Sequence, residues 1–131
     1  MANAMLGITM GDPSGIGPEI IVKALADMSP EERATAAVVG NVDCLRRADA
    51  IVGAGLTYNT ATLKVAPGEV PVVHVPSAGI ESLKVGELSA AGGEAAYRYI
   101  EKAVSLALAN DIAVIVTAPL NKGALHAAGH H

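Results

Sequence analysis

The chain has 131 residues, enough for one domain, with 51% hydrophobic residues and a formal net charge of −4; its nine basic residues stand singly or as Arg46-Arg47, without the basic stripe that nucleic-acid binding needs. No apolar run approaches the ~18 residues that span a bilayer, and no basic stretch precedes a hydrophobic one at the amino terminus, so neither nucleic acid nor membrane is an expected partner. One cysteine, Cys44, can form no internal disulfide and fits a reducing cytoplasm.

In chain order, the apolar run Met5 to Met10 predicts a first strand, and Pro18 to Asp27 a helix whose Ile20, Ile21, Ala24 and Leu25 face a sheet. Ser29-Pro30-Glu31-Glu32 reads as an N-cap, a proline at the first helical position and acids in the first turn of a short second helix. Ala36 to Gly40 is a brief strand, and Asn41 caps a helix from Val42 to Val52 that stops at Gly53-Ala54-Gly55. The alternation argues for a parallel sheet covered by helices.

Leu56-Thr57-Tyr58, Thr62-Leu63-Lys64-Val65 and Val70 to Val75 read as short strands or edge extensions, and Pro76 to Glu87 as a surface loop. From Leu88 to Ala109, Gly92, Ala95, Tyr99, Ala103 and Leu106 recur at helical steps and define the longest helix. Its paired Gly92-Gly93 costs about 1 kcal/mol each against alanine, so another helix or a ligand must approach closely there. Asn110-Asp111 ends it, and Ile112 to Val116 is the best candidate for a central strand. With no Phe, no Trp and three Tyr, the core must rely on close approach of helices and strands. Cys44, with no motif around it, reads as a small buried hydrophobe.

The string Thr9-Met10-Gly11-Asp12-Pro13-Ser14-Gly15-Ile16-Gly17-Pro18 joins the first strand to the first helix. It matches neither the dinucleotide fingerprint nor the P-loop, and Val38-Val39-Gly40-Asn41 ends the second strand without a ribose-binding acid. Bare amides at a helix start nevertheless make a seat for phosphate or carboxylate; the plain alternative is a glycine-rich turn and nothing more. Open parallel sheets collect ligands outside the carboxyl ends of their strands, where the Gly11 to Gly17 loop and the Thr117 to Lys122 loop both lie. If the two converge, Ser14, Thr117 and the amides after Gly15 donate to a phosphate, Lys122 supplies a charge, and Asn121 orients the ligand. Asp12 then accepts from a substrate hydroxyl, an amide or Lys122, unless it only closes an Asx turn; Lys122 can equally be a solvated helix-start lysine. His126 and His130 have i, i+4 spacing, but Gly129 interrupts them and no carboxylate follows, so no metal is assigned there, nor at His74, alone within an apolar strand.

The opening string resembles the amino-terminal signature of the 4-hydroxythreonine-4-phosphate dehydrogenase family. So do Ile115-Val116-Thr117-Ala118-Pro119-Leu120-Asn121-Lys122 with Leu125-His126-Ala127-Ala128-Gly129-His130 near the other end, and Gly86-Glu87-Leu88-Ser89 with the helix containing Tyr97 between them. The resemblance runs from end to end of the chain yet covers less than half of a family member. It implies an α/β fold of three αβα layers with a mostly parallel sheet, like that of isocitrate and isopropylmalate dehydrogenases. Residues 1–131 would then form the amino-terminal part of a two-lobed enzyme, present as an incomplete lobe with no internal boundary.

By the same resemblance the whole enzyme is a homodimer that uses NAD and a divalent metal, zinc or magnesium. It oxidises a phosphorylated four-carbon hydroxy acid and releases carbon dioxide, as a step in pyridoxine biosynthesis or in a sister branch acting on phosphothreonate or phosphoerythronate. Asn121-Lys122 leans toward that branch. The family's metal-binding histidines and its Gly-His-Thr substrate element lie beyond His131, so no metal ligand and no catalytic residue is assigned here, and the span alone is expected to be inactive. Gly11, Asp12, Ser14, Gly15, Gly17, Thr117, Asn121 and Lys122 are the candidate substrate- and cofactor-binding residues. The rival readings are a phosphate acyltransferase, which would need a coenzyme A site, and a non-catalytic anion-binding or dimerisation module.

Overall fold

The computed structural model describes residues 5–77, 79 and 89–118. Within them, β1 (Leu6–Thr9) leads through α1 (Gly17–Asp27) and the short α2 (Pro30–Ala34) to β2 (Ala36–Gly40). Next come α3 (Val42–Val52), β3 (Thr57–Asn59), β4 (Glu69–His74), α4 (Ala90–Leu108) and β5 (Val114–Thr117). The strands form one sheet in the order β3-β4-β2-β1-β5, and each pairing is parallel.

Right-handed crossovers put α1 and α3, which pack on each other, on one face of the sheet. The return from β4 to β5 runs the opposite way, so α4 crosses β2, β1 and β5 on the other face, completing three αβα layers. Helices α1, α3 and α4 therefore begin at the carboxyl ends of the strands, and the short α2 lies at their amino ends, directly before β2.

Local chemistry sets the element ends. Ser29 Oγ accepts from the Glu32 amide (3.2 Å) while Glu32 Oε1 accepts from the Ser29 amide (3.0 Å), a reciprocal box that starts α2. These bonds also hold the exposed Glu32 carboxyl below its usual range. Asn41 Oδ1 accepts from the Asp43 and Cys44 amides at 2.9 and 3.1 Å, starting α3, which stops at Gly53 in the left-handed region (φ 78°). Asp49 locks that stop from below, accepting from the Gly55 amide (2.7 Å), the Leu56 amide (3.0 Å) and the Tyr58 hydroxyl (2.8 Å). The Arg33 guanidinium closes the end of α1, donating to the Leu25, Met28 and Gly68 carbonyls at 2.9, 3.0 and 3.3 Å.

The core is aliphatic with one large ring: Tyr99, Met10, Leu25, Leu45, Val22, Val38 and Val39 are fully buried. Small residues bring α4 onto the sheet, its buried face being Gly92, Gly93, Ala95, Ala96, Tyr99, Ala103 and Leu106.

Four expectations are corrected. The buried face of α1 is Gly17, Pro18, Ile21, Val22 and Leu25, while Ile20 and Ala24 are exposed instead of facing the sheet. Thr62 to Val65 is not a strand: the Thr62 hydroxyl takes the Lys64 amide (3.1 Å) and Glu69 Oε1 takes the Ala66 amide (3.2 Å), leaving fewer donors for a ladder. Of the two readings for the segment from Val70, the short strand holds and the edge extension does not: it is the inner strand β4. Its Pro71 is tolerated because β4 pairs with β3 through Glu69–Pro71 and with β2 from Val72 onward, so the proline sits at the handover. The segment from Ile112 is not central: β5 starts two residues later and borders the described sheet, with Val114 and Val116 half-exposed, while Ile112 fills the space over Gly7. Most of the expected loop from Pro76 to Glu87 lies outside the described residues.

Candidate functional site

The Gly11 to Gly17 loop is built by two requirements. Gly11 takes a φ of 76°, a left-handed conformation closed to most side chains. Gly17 lets α1 begin against the end of β1: a Cβ there would stand 2.5 Å from the Met10 carbonyl oxygen and 3.5 Å from the Ala118 Cβ.

Inside the loop, Asp12 Oδ1 accepts from both the Ser14 amide (2.9 Å) and the Ser14 hydroxyl (2.7 Å), and the Asp12 carbonyl accepts from the Gly15 amide (3.0 Å). Asp12 and Ser14 are buried, at 5% and 3% exposure. That is an Asx-type turn, with the Ser14 hydroxyl proton directed inward. The Asp12 carboxylate also lies against the first turn of α4, over Gly92, where the positive end of the helix favours a negative charge.

Where the loop enters α1, backbone amides are left without partners among the described residues. Helix α1 has Ile16 at its N-cap with no side-chain cap, and Pro18 has no amide hydrogen. The Ile20 amide bonds to the Ile16 carbonyl (3.1 Å), whereas the amides of Ile16, Gly17 and Glu19 have no partner among the described residues. A shallow dent of about 20 Å³, room for roughly one water, opens beside them between Gly15, Pro18 and Glu19 on one wall and Cys44 and Arg47 on the other. Arg47 Nη2 lies 3.5 Å from Cys44 Sγ.

Of the second expected loop, only Thr117 and Ala118 lie among the described residues. Thr117 pairs in register with Thr9, and the Ala118 amide donates to the Thr9 carbonyl at 3.0 Å, so the exposed Thr117 stands beside the strand that feeds the glycine loop. Gly11, Asp12, Ser14, Gly15, Gly17 and Thr117 thus share one end of the sheet. Asn121 and Lys122 lie outside the described residues, as do His126, His130 and His131.

Beneath the loop, the Tyr99 hydroxyl and Thr9 Oγ1 are buried without a hydrogen-bond partner among the described residues. Burial raises the Tyr99 phenol above its usual range, with Cys44 and Asp12 adding to the shift, so it stays protonated. No group of three or more His, Cys, Asp or Glu that could hold a metal occurs among the described residues. No described helix is long and apolar enough to cross a membrane.

Sequence reasoning missed Arg47, which gave no signal beyond its place on a helix facing α1. It did flag Gly92-Gly93 as a close approach without naming Asp12 as the group that approaches.

The family model described as "Pyridoxal phosphate biosynthetic protein PdxA" matches residues 32–131. Among curated relatives, a D-threonate 4-phosphate dehydrogenase of Salmonella typhimurium is 42% identical over 100% of this chain and 41% of its own length. A 4-hydroxythreonine-4-phosphate dehydrogenase of Trichlorobacter lovleyi is 37% identical over 96% of this chain and 39% of its own. The crystal structure of a 4-hydroxythreonine-4-phosphate dehydrogenase from Burkholderia phymatum superposes with a TM-score of 0.84 at 39% identity, over 99% of this chain and 40% of that one. The chain thus spans well under half the length of the proteins it matches.

Proposed function

Because the chain belongs to the PdxA family, we propose that it supplies the amino-terminal part of an NAD-dependent dehydrogenase acting on a phosphorylated four-carbon hydroxy acid. The observation that carries this reading is the set of unpartnered amides at Ile16, Gly17 and Glu19, beside Thr117 at the carboxyl end of the sheet. D-threonate 4-phosphate is the favoured substrate: the relative bearing that name in Salmonella typhimurium is 42% identical, against 37% for the 4-hydroxythreonine-4-phosphate dehydrogenase of Trichlorobacter lovleyi.

In this reading the chain binds and orients. The three amides and the Thr117 hydroxyl donate to phosphoryl oxygens, the positive end of α1 adds to the attraction, and Asp12 holds the loop in shape through Ser14. NAD supplies the hydride acceptor when bound. The described residues offer no donor set for a divalent metal, so no step is assigned to one here. Decarboxylation of the oxidised acid, assembly as a homodimer and a cytoplasmic location belong to the same proposal, as does the inactivity of this span alone.

Titration calorimetry with D-threonate 4-phosphate and with NAD tests it, together with an assay for NADH. Saturable binding of either compound without NADH formation is expected. Binding of neither overturns the reading, and NADH formed in proportion to the chain overturns the inactivity of the span.

A further inference from the structure

Two hydroxyl groups beneath the Gly11 to Gly17 loop are wholly enclosed and bonded to nothing among the described residues: the Tyr99 hydroxyl and Thr9 Oγ1, each on a residue that is 0% exposed. Almost every buried hydroxyl in a folded protein has a partner, so this pair calls for one.

The fold brings the two toward one place. Side chains alternate along a strand, so Thr9 points to the same face of β1 as Gly7. That face belongs to α4: a Cβ on Gly7 would run into Ile112, just past the end of the helix, and Asp12 lies against Gly92 in its first turn. Helix α4 therefore runs antiparallel to β1 along this face, from the contact between Asp12 and Gly92 toward Gly7. Tyr99 stands about 10 Å along α4 from Gly92, at 1.5 Å per residue, and Thr9 no more than about 11 Å along the chain from Asp12. A helical tyrosine leans toward the N-terminus of its helix, which carries its hydroxyl back toward Thr9 and the loop. In keeping with that direction, burial raises the Tyr99 phenol, and Cys44 and Asp12, both beyond the carboxyl ends of the strands, add to the shift.

The chemistry narrows what can sit between them. The two hydroxyls do not bond each other. An anion would face the Asp12 carboxylate, and a hard cation needs about six oxygens where two hydroxyls are offered. Water needs only two to four polar partners, and a hydroxyl can both give and take a hydrogen bond.

We propose that one buried water bridges the Tyr99 hydroxyl and Thr9 Oγ1, joining α4 to the last residue of β1. The Thr9 carbonyl also accepts from the Ala118 amide at 3.0 Å, and Thr9 pairs in register with Thr117. The bridge thus sets the height of the strand end on which the glycine loop and Thr117 stand, whatever that loop receives.

Oxygen-17 relaxation dispersion of the solvent tests it, because it counts long-lived internal waters and is blind to exchanging hydroxyl protons. On the purified chain, Tyr99→Phe and Thr9→Val are each expected to lose the amplitude of one water; undiminished amplitude in either variant overturns the bridge. Each change removes a hydroxyl and leaves the shape of the side chain nearly intact. The melting temperature should fall by about 3 °C or more in each, because the other hydroxyl is left unpaired. A rise in either variant, the sign of relief from a polar group that never had a partner, overturns the proposal as well. The double variant should melt near the lower single one, since both changes discard the same water; full additivity overturns the sharing.

Discussion

The carboxylate of Asp12 occupies the space that a Cβ would take on Gly92, its Cγ and Oδ2 lying 2.8 Å from that position. The loop after β1 and the first turn of α4 are thereby fitted to each other through one absent methyl group.

Gly92→Ala should therefore destabilise the protein. The alanine gains about 1 kcal/mol in helix propensity, but forcing Asp12 aside costs about 1–3 kcal/mol. In an Asp12→Ala background the obstructing atoms are gone, and the same change should turn neutral or stabilising. Urea denaturation of the four proteins measures the coupling; additive effects would contradict the contact.

Asp49 should make stability depend on pH. Burial pushes its carboxyl up, but the hydrogen bonds from Tyr58, Leu56 and Gly55 together outweigh that and set it below its ordinary value of 3.8. A carboxyl lowered in the folded state adds stability above its unfolded value, and the gain is lost as pH falls through the folded value. Asp49→Asn should cost about 1–3 kcal/mol near neutral pH, and its deficit against the parent should shrink toward about pH 3. Denaturation curves at the two pH values check it.

Arg33 joins the end of α1 to the turn before β4 through the Leu25, Met28 and Gly68 carbonyls. Arg33→Ala should lower stability by about 1.5–3 kcal/mol, the range for hydrogen bonds to a charged group. Arg33→Lys should recover only part of it, since one ammonium cannot reproduce the planar fork. Thermal melts of the three proteins decide the order.

Thr117→Val keeps the shape of the strand end and removes its hydroxyl. Because Thr117 is exposed, the melting temperature should change little, whereas the Kd for D-threonate 4-phosphate should rise about 10-fold. Calorimetry that shows equal affinity would remove Thr117 from the site.

Much of this architecture was legible from punctuation. Ser29, Asn41 and Gly53 mark their helix ends by chemistry confined to a few neighbouring residues, and such local rules survive without tertiary context. The place of a strand within the sheet is a tertiary property. Val70 to Val75 and Ile112 to Val116 have similar apolar patterns, yet in the described sheet one is interior and the other a border, because crossover direction rather than composition decides the order. At the site, the tight glycine loop, the Asx turn at Asp12 and the bare amides at the start of α1 were all among the readings of the string, whereas nothing in it showed that the Asp12 carboxylate would lie over Gly92. His74 looked like an isolated strand residue, but its Nδ1 accepts from the Val42 amide, thirty-two positions away.

Apart from Tyr99 and Leu106, the buried face of α4 carries only glycine and alanine, and this has a consequence for how the protein can vary. Where bulky residues meet, an enlargement at one position is absorbed by trimming its neighbour; where Gly92, Ala95, Ala96 and Ala103 meet the strands there is almost nothing left to trim. Saturation mutagenesis should accordingly find that inward row of α4 closed to nearly every replacement, while Tyr97, Glu101, Val104 and Leu108 on its outward row accept most of them.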